Sequence, residues 1–257
     1  MDGDALPALP AGWNGTSFGA VAQIYDASRP TYPAQSAQWL VGGPPTGNRI
    51  EVADVGAGTG KMTAVLLGLG HRVTAIEPDE GMLSLLTRKF PQATAFVGTA
   101  ERLPLLDASV DAVVVAQAFH WVDKAVAFVE IARVLRPGGW LGVVWNDRDE
   151  SDEWTPQISR AWGERAEIVG ASFEHAVPEH PRFGPVERHH SSHSQELDED
   201  GLVALTASRS YVIALPAEER DRLFDDMRSL FARHRYATGE PGITIRYTTH
   251  SYRMRKR

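Results

Sequence analysis

IEVADVGAGTGKMTAVLLGLG, Ile50 to Gly70, decides the fold. Its opening run, Ile50 to Val55, is apolar, rich in β-branched residues and of strand length. Glycines at 56, 58 and 60 break that run. Lys61 to Leu69 then spaces its apolar residues as a helix, which Gly70 closes. Strand, glycine turn and helix in this order open a βαβ unit.

Working outward, the same rhythm repeats. RVTAI (Arg72 to Ile76) reads as the next strand, and Gly81 to Phe90 as a helix with Met82, Leu83, Leu86 and Phe90 inward, ended by Pro91. TAFV (Thr94 to Val97) and DAVVVAQ (Asp111 to Gln117) are further strands. Asp123 is placed to cap a helix reaching Leu135, with Pro137-Gly138-Gly139 as its expected stop, and WLGVVW (Trp140 to Trp145) returns as a strand. Upstream, the spacing of Phe18, Val21, Ala22 and Tyr25 marks a short helix ending before Pro30, and a second helix covers Ala34 to Val41 before GGPPTGN breaks it. Strands alternating with helices imply a parallel sheet covered on both faces, with ligands outside the carboxyl ends of the strands.

Beyond Asn146 the rhythm fails. Residues 147–210 are charged and His-rich, with one plausible helix at Pro156 to Val169. Ala217 to His234 is a clear amphipathic helix carrying Leu223, Met227, Leu230 and Phe231 on one face. ITIRYTTHSYR (Ile243 to Arg253) alternates like an antiparallel edge strand.

The loop Asp54 to Gly60 carries the chemistry. Its glycines permit a tight turn and close approach of a ligand, and the helix behind them offers free N–H groups to an anion. A dinucleotide site wants G-x-G-x-x-G, whereas the spacing here is G-x-G-x-G with Asp54 two residues ahead. A carboxylate so placed is unwelcome beside a pyrophosphate but tolerable beside a zwitterion such as a methionine moiety. Glu77, ending the second strand, is placed to accept hydrogen bonds from ribose hydroxyls. The buried-looking run DAVVVAQAF ends abruptly in His120 and Trp121. His120 reads as a general base, as a positioning group or pocket wall, or as a purely structural hydrogen-bonding histidine, and Trp121 as a packing surface for a ligand or for the core.

VADVGAGTGKMT, AIEPDEGML, VGTAERLPL, AQAFHWVD and EIARVLRPGGWLGVVWN resemble, in order, the motifs of class I S-adenosylmethionine-dependent methyltransferases. The resemblance is to the small-molecule branch that includes trans-aconitate methyltransferase-like enzymes (methyltransferase type 11) and covers about residues 15–147. It implies an α/β, doubly wound, mostly parallel seven-stranded Rossmann-like sheet with an N-terminal helical cap and a C-terminal insertion. The implied segments are cap helices in 1–45, a core binding S-adenosyl-L-methionine in 46–147, an insertion or substrate lobe in 148–210, and a helix and antiparallel strand completing the sheet in 211–257.

The resemblance also implies roles. Asp54, Gly56, Ala57, Gly58, Thr59 and Gly60 would hold the methionine part of the cofactor. Glu77 would hold the ribose, with Pro78 and Met82 against the adenine and Thr99, Ala100 and Glu101 along its edge. Gln117 and Ala118 would sit beneath the sulfonium, and Tyr25 and Arg29 would close over the site. Thr99 departs from the acid many relatives carry there. His120 and Trp121 would face a small-molecule acceptor, with oxygen favoured as the methylated atom. Two other readings are a methyltransferase-fold protein that binds the cofactor without turning it over, and an NAD-type oxidoreductase, which the glycine spacing and the lack of a placed Tyr-x-x-x-Lys pair disfavour.

Composition narrows the classes. A formal charge of −7 gives no general attraction to nucleic acid or anionic membrane, and the basic RMRKR at Arg253 to Arg257 reads as a solvated tail. With no cysteine, disulfides, thiolate metal sites and cysteine nucleophiles are excluded together. His175, His180, His189, His190 and His193 lack acidic partners at ligand spacing, so no metal is expected. The expected setting is the cytoplasm, as a monomer or homodimer, without nucleic-acid or membrane partners.

Overall fold

The computed structural model describes residues 22–43, 49–168 and 177–257. Phe18, Val21, Val169 and His175 lie outside these residues. Seven strands form one sheet in the order β3-β2-β1-β4-β5-β7-β6. They are β1 (Glu51–Val55), β2 (Arg72–Glu77), β3 (Thr94–Val97), β4 (Val110–Ala116), β5 (Leu135–Arg148), β6 (Glu187–Leu197) and β7 (Ile243–Arg255). β1 pairs in parallel with β2 and β4, β2 with β3, and β4 with β5. The bonds Lys256 N to Gly139 O (2.8 Å) and Asp149 N to Arg246 O (2.9 Å) run in opposite senses along β5 and β7, so that pair is antiparallel.

The chain forms two compact units. One comprises Thr31–Asp147, Glu174–His193 and Thr248–Arg257. In it, α2 (Ala34–Leu40), α3 (Lys61–Gly68), α4 (Glu80–Lys89) and α5 (Lys124–Val134) cover the parallel strands. Successive residues of β1 and β4 serve different cores. Ala53, Val55, Val113 and Val115 pack with Phe128 and Ile131 of α5, while Val52, Ala112 and Val114 pack with Leu40 of α2 and Met62 and Leu66 of α3. A period-two chain buried on both faces reads as a continuous apolar run, which is what these strands show. Asp123 caps α5, accepting hydrogen bonds from Ala125 N and Val126 N.

The expected helix stop at Pro137-Gly138-Gly139 is corrected. α5 ends at Val134, and Leu135 is already extended, fully buried and paired with Val110. Between Leu135 and Trp140 the strand bulges, five residues facing the shorter step from Val110 to Ala112. Gly139 is required there, since a Cβ would stand 2.7 Å from Asp111 O. The proline and glycines shape a bulge after the helix has ended.

The expected edge strand is also corrected. β7 lies inside the sheet, between β5 and β6, and the edge is β6, in a stretch whose sequence shows no strand rhythm. ERHHSSHSQEL buries only Ser191 and Leu197, so its alternation is carried by small polar residues that an apolar pattern cannot reveal. Its anchors are polar: Ser191 Oγ meets Ser36 Oγ at 2.5 Å, and His193 Nδ1 lies 3.2 Å from Thr249 Oγ1.

The other unit draws on the described parts of Met1–Pro30, Arg148–Phe173 and Ser194–Tyr247. It contains α1 (Ala22–Ser28), α6 (Thr155–Ile168), α7 (Glu199–Ala207), α8 (Ser210–Ala214) and α9 (Ala217–Thr238). Its core gathers Ile158, Trp162, Leu202, Leu223, Met227, Leu230 and Ile245. No helix among the described residues is long and apolar enough to cross a membrane.

Candidate active site

The carboxyl ends of β1, β2 and β4 deliver the functional residues to one edge. After β1 the chain turns through Gly56, Gly58 and Gly60, all at positive φ (68°, 55° and 89°). Gly56 N and Ala57 N donate to Ile76 O at 2.8 and 3.1 Å, which fastens the loop to β2. Two glycines are demanded by packing. A Cβ on Gly56 would stand 2.7 Å from the Ala118 Cβ, and one on Gly60 would stand 2.8 Å from the Phe90 ring. A Cβ on Gly58 would meet nothing closer than Met82 Sδ at 3.7 Å, so its left-handed backbone is what calls for glycine. The loop thus presents bare main chain at the carboxyl edge of the sheet.

Asp54 is fully buried beneath this loop. Its Oδ2 accepts a 2.6 Å hydrogen bond from Thr63 Oγ1 on α3, while Oδ1 is buried without a partner. Burial pushes the carboxyl up to about 7; the Thr63 hydrogen bond opposes this, and the nearby Glu77 carboxylate adds to it. A buried orphan carboxylate oxygen of this kind suits an ammonium or another donor.

Glu77 is buried and bifunctional. Oε2 accepts from Gly58 N at 2.8 Å and Oε1 from Asp79 N at 3.0 Å. Burial raises its pKa, and those two backbone donors pull the other way. Each oxygen keeps a further lone pair for a ligand hydroxyl. Sequence reasoning placed Glu77 at the strand end but missed that it also clamps the glycine loop, because that bond depends on a tertiary contact.

Around this centre, Met82 and Ala100 are buried, whereas Pro78 and Thr99 are exposed. Thr59 is buried, its hydroxyl without an acceptor. Glu101 Oε1 accepts from Asp123 N at 2.8 Å, linking the loop after β3 to the α5 cap. Gln117 leaves β4 with φ of 56°, a conformation costly for a side-chain-bearing residue. Its N–H donates to Val144 O and its Nε2 to Asn146 O (3.2 Å). Beyond the strained Gln117, Phe119 enters the core, His120 is half-buried with its Nδ1 covered, and Trp121 is exposed. The two rings lie 4.8 Å apart, and Trp121 is 64% exposed.

Asn146 had no role assigned by spacing. It donates to Thr31 O (3.0 Å) and accepts from Thr249 Oγ1 (2.7 Å), bracing the end of β5. Tyr25 and Arg29 belong to the other unit, where Arg29 Nε donates to Ser208 Oγ at 2.8 Å and its Nη2 to Ser208 O at 3.1 Å. Of the histidines weighed as ligands, His180 stacks on Phe128, His189 on Trp39, and His190 meets His250 edge-on. Among the described residues no cluster of three or more metal-ligating side chains occurs.

A βαβ sheet with a glycine-rich turn after β1 and an acid ending β2 is the frame of a nucleotide-binding α/β protein. Residues 53–143 match the family described as "Methyltransferase domain". An uncharacterised methyltransferase of Mycobacterium tuberculosis is 43% identical over 233 residues, covering 91% of this chain and 93% of that protein. A malonyl-[acyl-carrier protein] O-methyltransferase of Methylococcus capsulatus is 38% identical over 141 residues, half of each chain. A solved protein described as a type II methyltransferase of Anaeromyxobacter dehalogenans superposes with a TM-score of 0.64 at 26% identity, covering 89% of this chain and 97% of that one. The chain belongs to the class I S-adenosylmethionine-dependent methyltransferases. S-adenosylmethionine is its methyl donor.

Proposed function

We propose that this enzyme methylates an oxygen of a small molecule, and that the residues at the ends of β1, β2 and β4 hold the donor. The observation that carries the reading is the glycine loop at positive φ, clamped by Glu77 and underlain by the orphan Oδ1 of Asp54. When bound, S-adenosylmethionine supplies an electrophilic methyl group on a sulfonium. The chain's own contribution is binding and alignment. Asp54 and the bare backbone of Gly56, Ala57, Gly58, Thr59 and Gly60 receive the methionine end. Glu77 accepts from the ribose hydroxyls while keeping its bonds to Gly58 and Asp79. Met82 and Pro78 offer apolar contact to the adenine, with Thr99, Ala100 and Glu101 along its edge. Gln117 and Ala118 lie at the reacting end of the site.

His120 and Trp121 supply the acceptor's wall in this reading. An oxygen acceptor is favoured by the likeness of half the chain to an O-methyltransferase. A hydroxyl acceptor would lose its proton to His120, whereas a carboxylate would need no base. Calorimetric titration with S-adenosylmethionine, S-adenosylhomocysteine and NAD tests the donor site. Micromolar binding of the first two and silence from NAD are expected, and binding of NAD alone would overturn every role given to the glycine loop. An acceptor screen that reads methyl esters or ethers by mass then tests the oxygen assignment, and methylation at nitrogen or carbon only would refute it.

A further inference from the structure

A line of polar side chains crosses four neighbouring strands and ends at Gln117. Along the sheet order β4-β5-β7-β6 it comprises Gln117 just after β4, Asn146 of β5, Thr249 of β7 and His193 of β6. All four, with Thr31, belong to one compact unit. Gln117 Nε2 donates to Asn146 O at 3.2 Å. Asn146 Nδ2 donates to Thr31 O at 3.0 Å, and its Oδ1 lies 2.7 Å from Thr249 Oγ1. Thr249 Oγ1 lies in turn 3.2 Å from His193 Nδ1.

The donors and acceptors in this line have one consistent order. The Thr31 carbonyl can only accept, so the Asn146 amide turns Nδ2 towards it and Oδ1 towards Thr249. The Thr249 hydroxyl therefore gives its single proton to Asn146. Towards His193 it can then only accept, which requires a hydrogen on His193 Nδ1. Burial holds the His193 pKa below its ordinary value, so the neutral Nδ1–H tautomer fills this role. Thr249 is fully buried, which shields the line from competing water.

The last link fixes the Gln117 amide in the same way. The Asn146 carbonyl can only accept, so Gln117 turns Nε2 to it and keeps Oε1 on the opposite side. The Gln117 backbone, at a φ of 56°, persists only where its surroundings hold it. Its N–H bond to Val144 O at 2.9 Å holds the main chain, and Asn146 holds the side chain. The result is a half-buried amide dipole of settled direction at the carboxyl end of β4.

We propose that Asn146, oriented by Thr249 and His193, is a positioning residue for methyl transfer: it fixes the Gln117 amide so that Oε1 meets the sulfonium. This role rests on the reading that Gln117 lies at the reacting end of the site. An amide oxygen attracts a sulfonium, whereas an amide free to turn offers its N–H groups as readily. The sulfonium loses its charge during transfer, so the service of the dipole is alignment of the donor. S-adenosylhomocysteine, whose sulfur has neither the charge nor the methyl group, hardly feels it.

The affinity ratio of S-adenosylmethionine to S-adenosylhomocysteine, read by calorimetry, tests the role. Thr249→Val, close in shape but without the hydroxyl, should lower the ratio at least fivefold, and Thr249→Ser should restore it to within twofold of wild type. Asn146→Ala, which removes both side-chain bonds, should lower it as Thr249→Val does, and it decides the matter should Thr249→Val fail to fold. Ser251→Ala, equally buried on the same strand but with a hydroxyl that has no partner, should leave the ratio unchanged. An unchanged ratio in Thr249→Val and Asn146→Ala, whether both ligands hold or both weaken together, reduces the line to a structural brace and overturns the proposal. Gln117→Leu separates the two ways of failing. If it shifts the ratio while Thr249→Val and Asn146→Ala do not, Gln117 keeps its place and the positioning role alone falls. If it too leaves the ratio unchanged, the placement of Gln117 at the reacting end has failed. Long-range proton–nitrogen NMR of histidine-labelled protein, with His193 assigned by its loss in His193→Gln, reads the tautomer directly. Hydrogen on Nδ1 is expected, and hydrogen on Nε2 alone would break the order of donors and overturn the proposal.

Discussion

Asp54, Glu77 and His120 each couple a local environment to a testable role. Glu77→Ala removes the proposed ribose contact and the clamp on Gly58 N together, so S-adenosylhomocysteine binding should weaken by about 1.5–3 kcal/mol. Unchanged affinity by calorimetry would remove Glu77 from the site. Asp54 titrates near 7 in the folded chain against 3.8 as an ordinary carboxyl. The folded state therefore keeps a proton that the unfolded chain has released. The resulting stabilisation is complete below pH 3.8 and is lost as pH rises through 7. Asp54→Asn, which cannot ionise, should abolish this decline. Between pH 5 and pH 8 the wild type should lose on the order of 2–4 kcal/mol relative to the variant in urea unfolding without ligand. Parallel pH profiles would show that Asp54 ionises without penalty. For His120→Ala, a pH-dependent fall in kcat with cofactor affinity intact marks a base, and a raised acceptor KM alone marks a wall. Beside Trp121 at the open end of β4, the wall is the expected outcome. These positions were legible in the sequence because strand ends and glycine turns advertise themselves. Their partners, Thr63, Gly58 N and the core beneath, were not.

At the scale of the element, the turn from β1 to α3 is specified twice. Gly60 precedes α3 with a left-handed φ of 89°, and it also lets α4 approach through Leu86 and Phe90. Gly60→Ala meets both demands at once, backbone strain and a clash with two apolar side chains, and should cost about 1–3 kcal/mol. A denaturant midpoint equal to wild type would show that Phe90 swings aside freely. The elements misread from sequence share a cause. The α5 stop was assigned to Pro137-Gly138-Gly139 because those residues commonly end helices, yet they belong to a bulge fixed by β4. β6 was invisible because its inward positions are Ser191 and polar neighbours, whose burial rests on Ser36 and Thr249 from distant parts of the chain.

At the scale of the whole molecule, the sheet order ranks its strands by protection. β1 and β4 are central and buried on both faces, while β3 lies at one edge with Phe96 42% and Val97 55% exposed. Amide exchange followed by mass spectrometry should be slowest in β1 and β4 and much faster in β3. Comparable rates in β3 and β1 would contradict this sheet order as the framework of stability.

By itself the sequence determined the alternation of strands and helices up to Trp145, the glycine loop, the acid ending β2 and the family to which they belong. Those features are local: a period of two or 3.6 and a glycine where the backbone turns left-handed are written residue by residue. Tertiary structure alone decided that β6 is the edge, that Glu77 clamps Gly58, and that Arg148 and Arg209 lie over one Trp162 ring. Such facts depend on which distant residues meet, and burial and charge act through space, without regard to position along the chain.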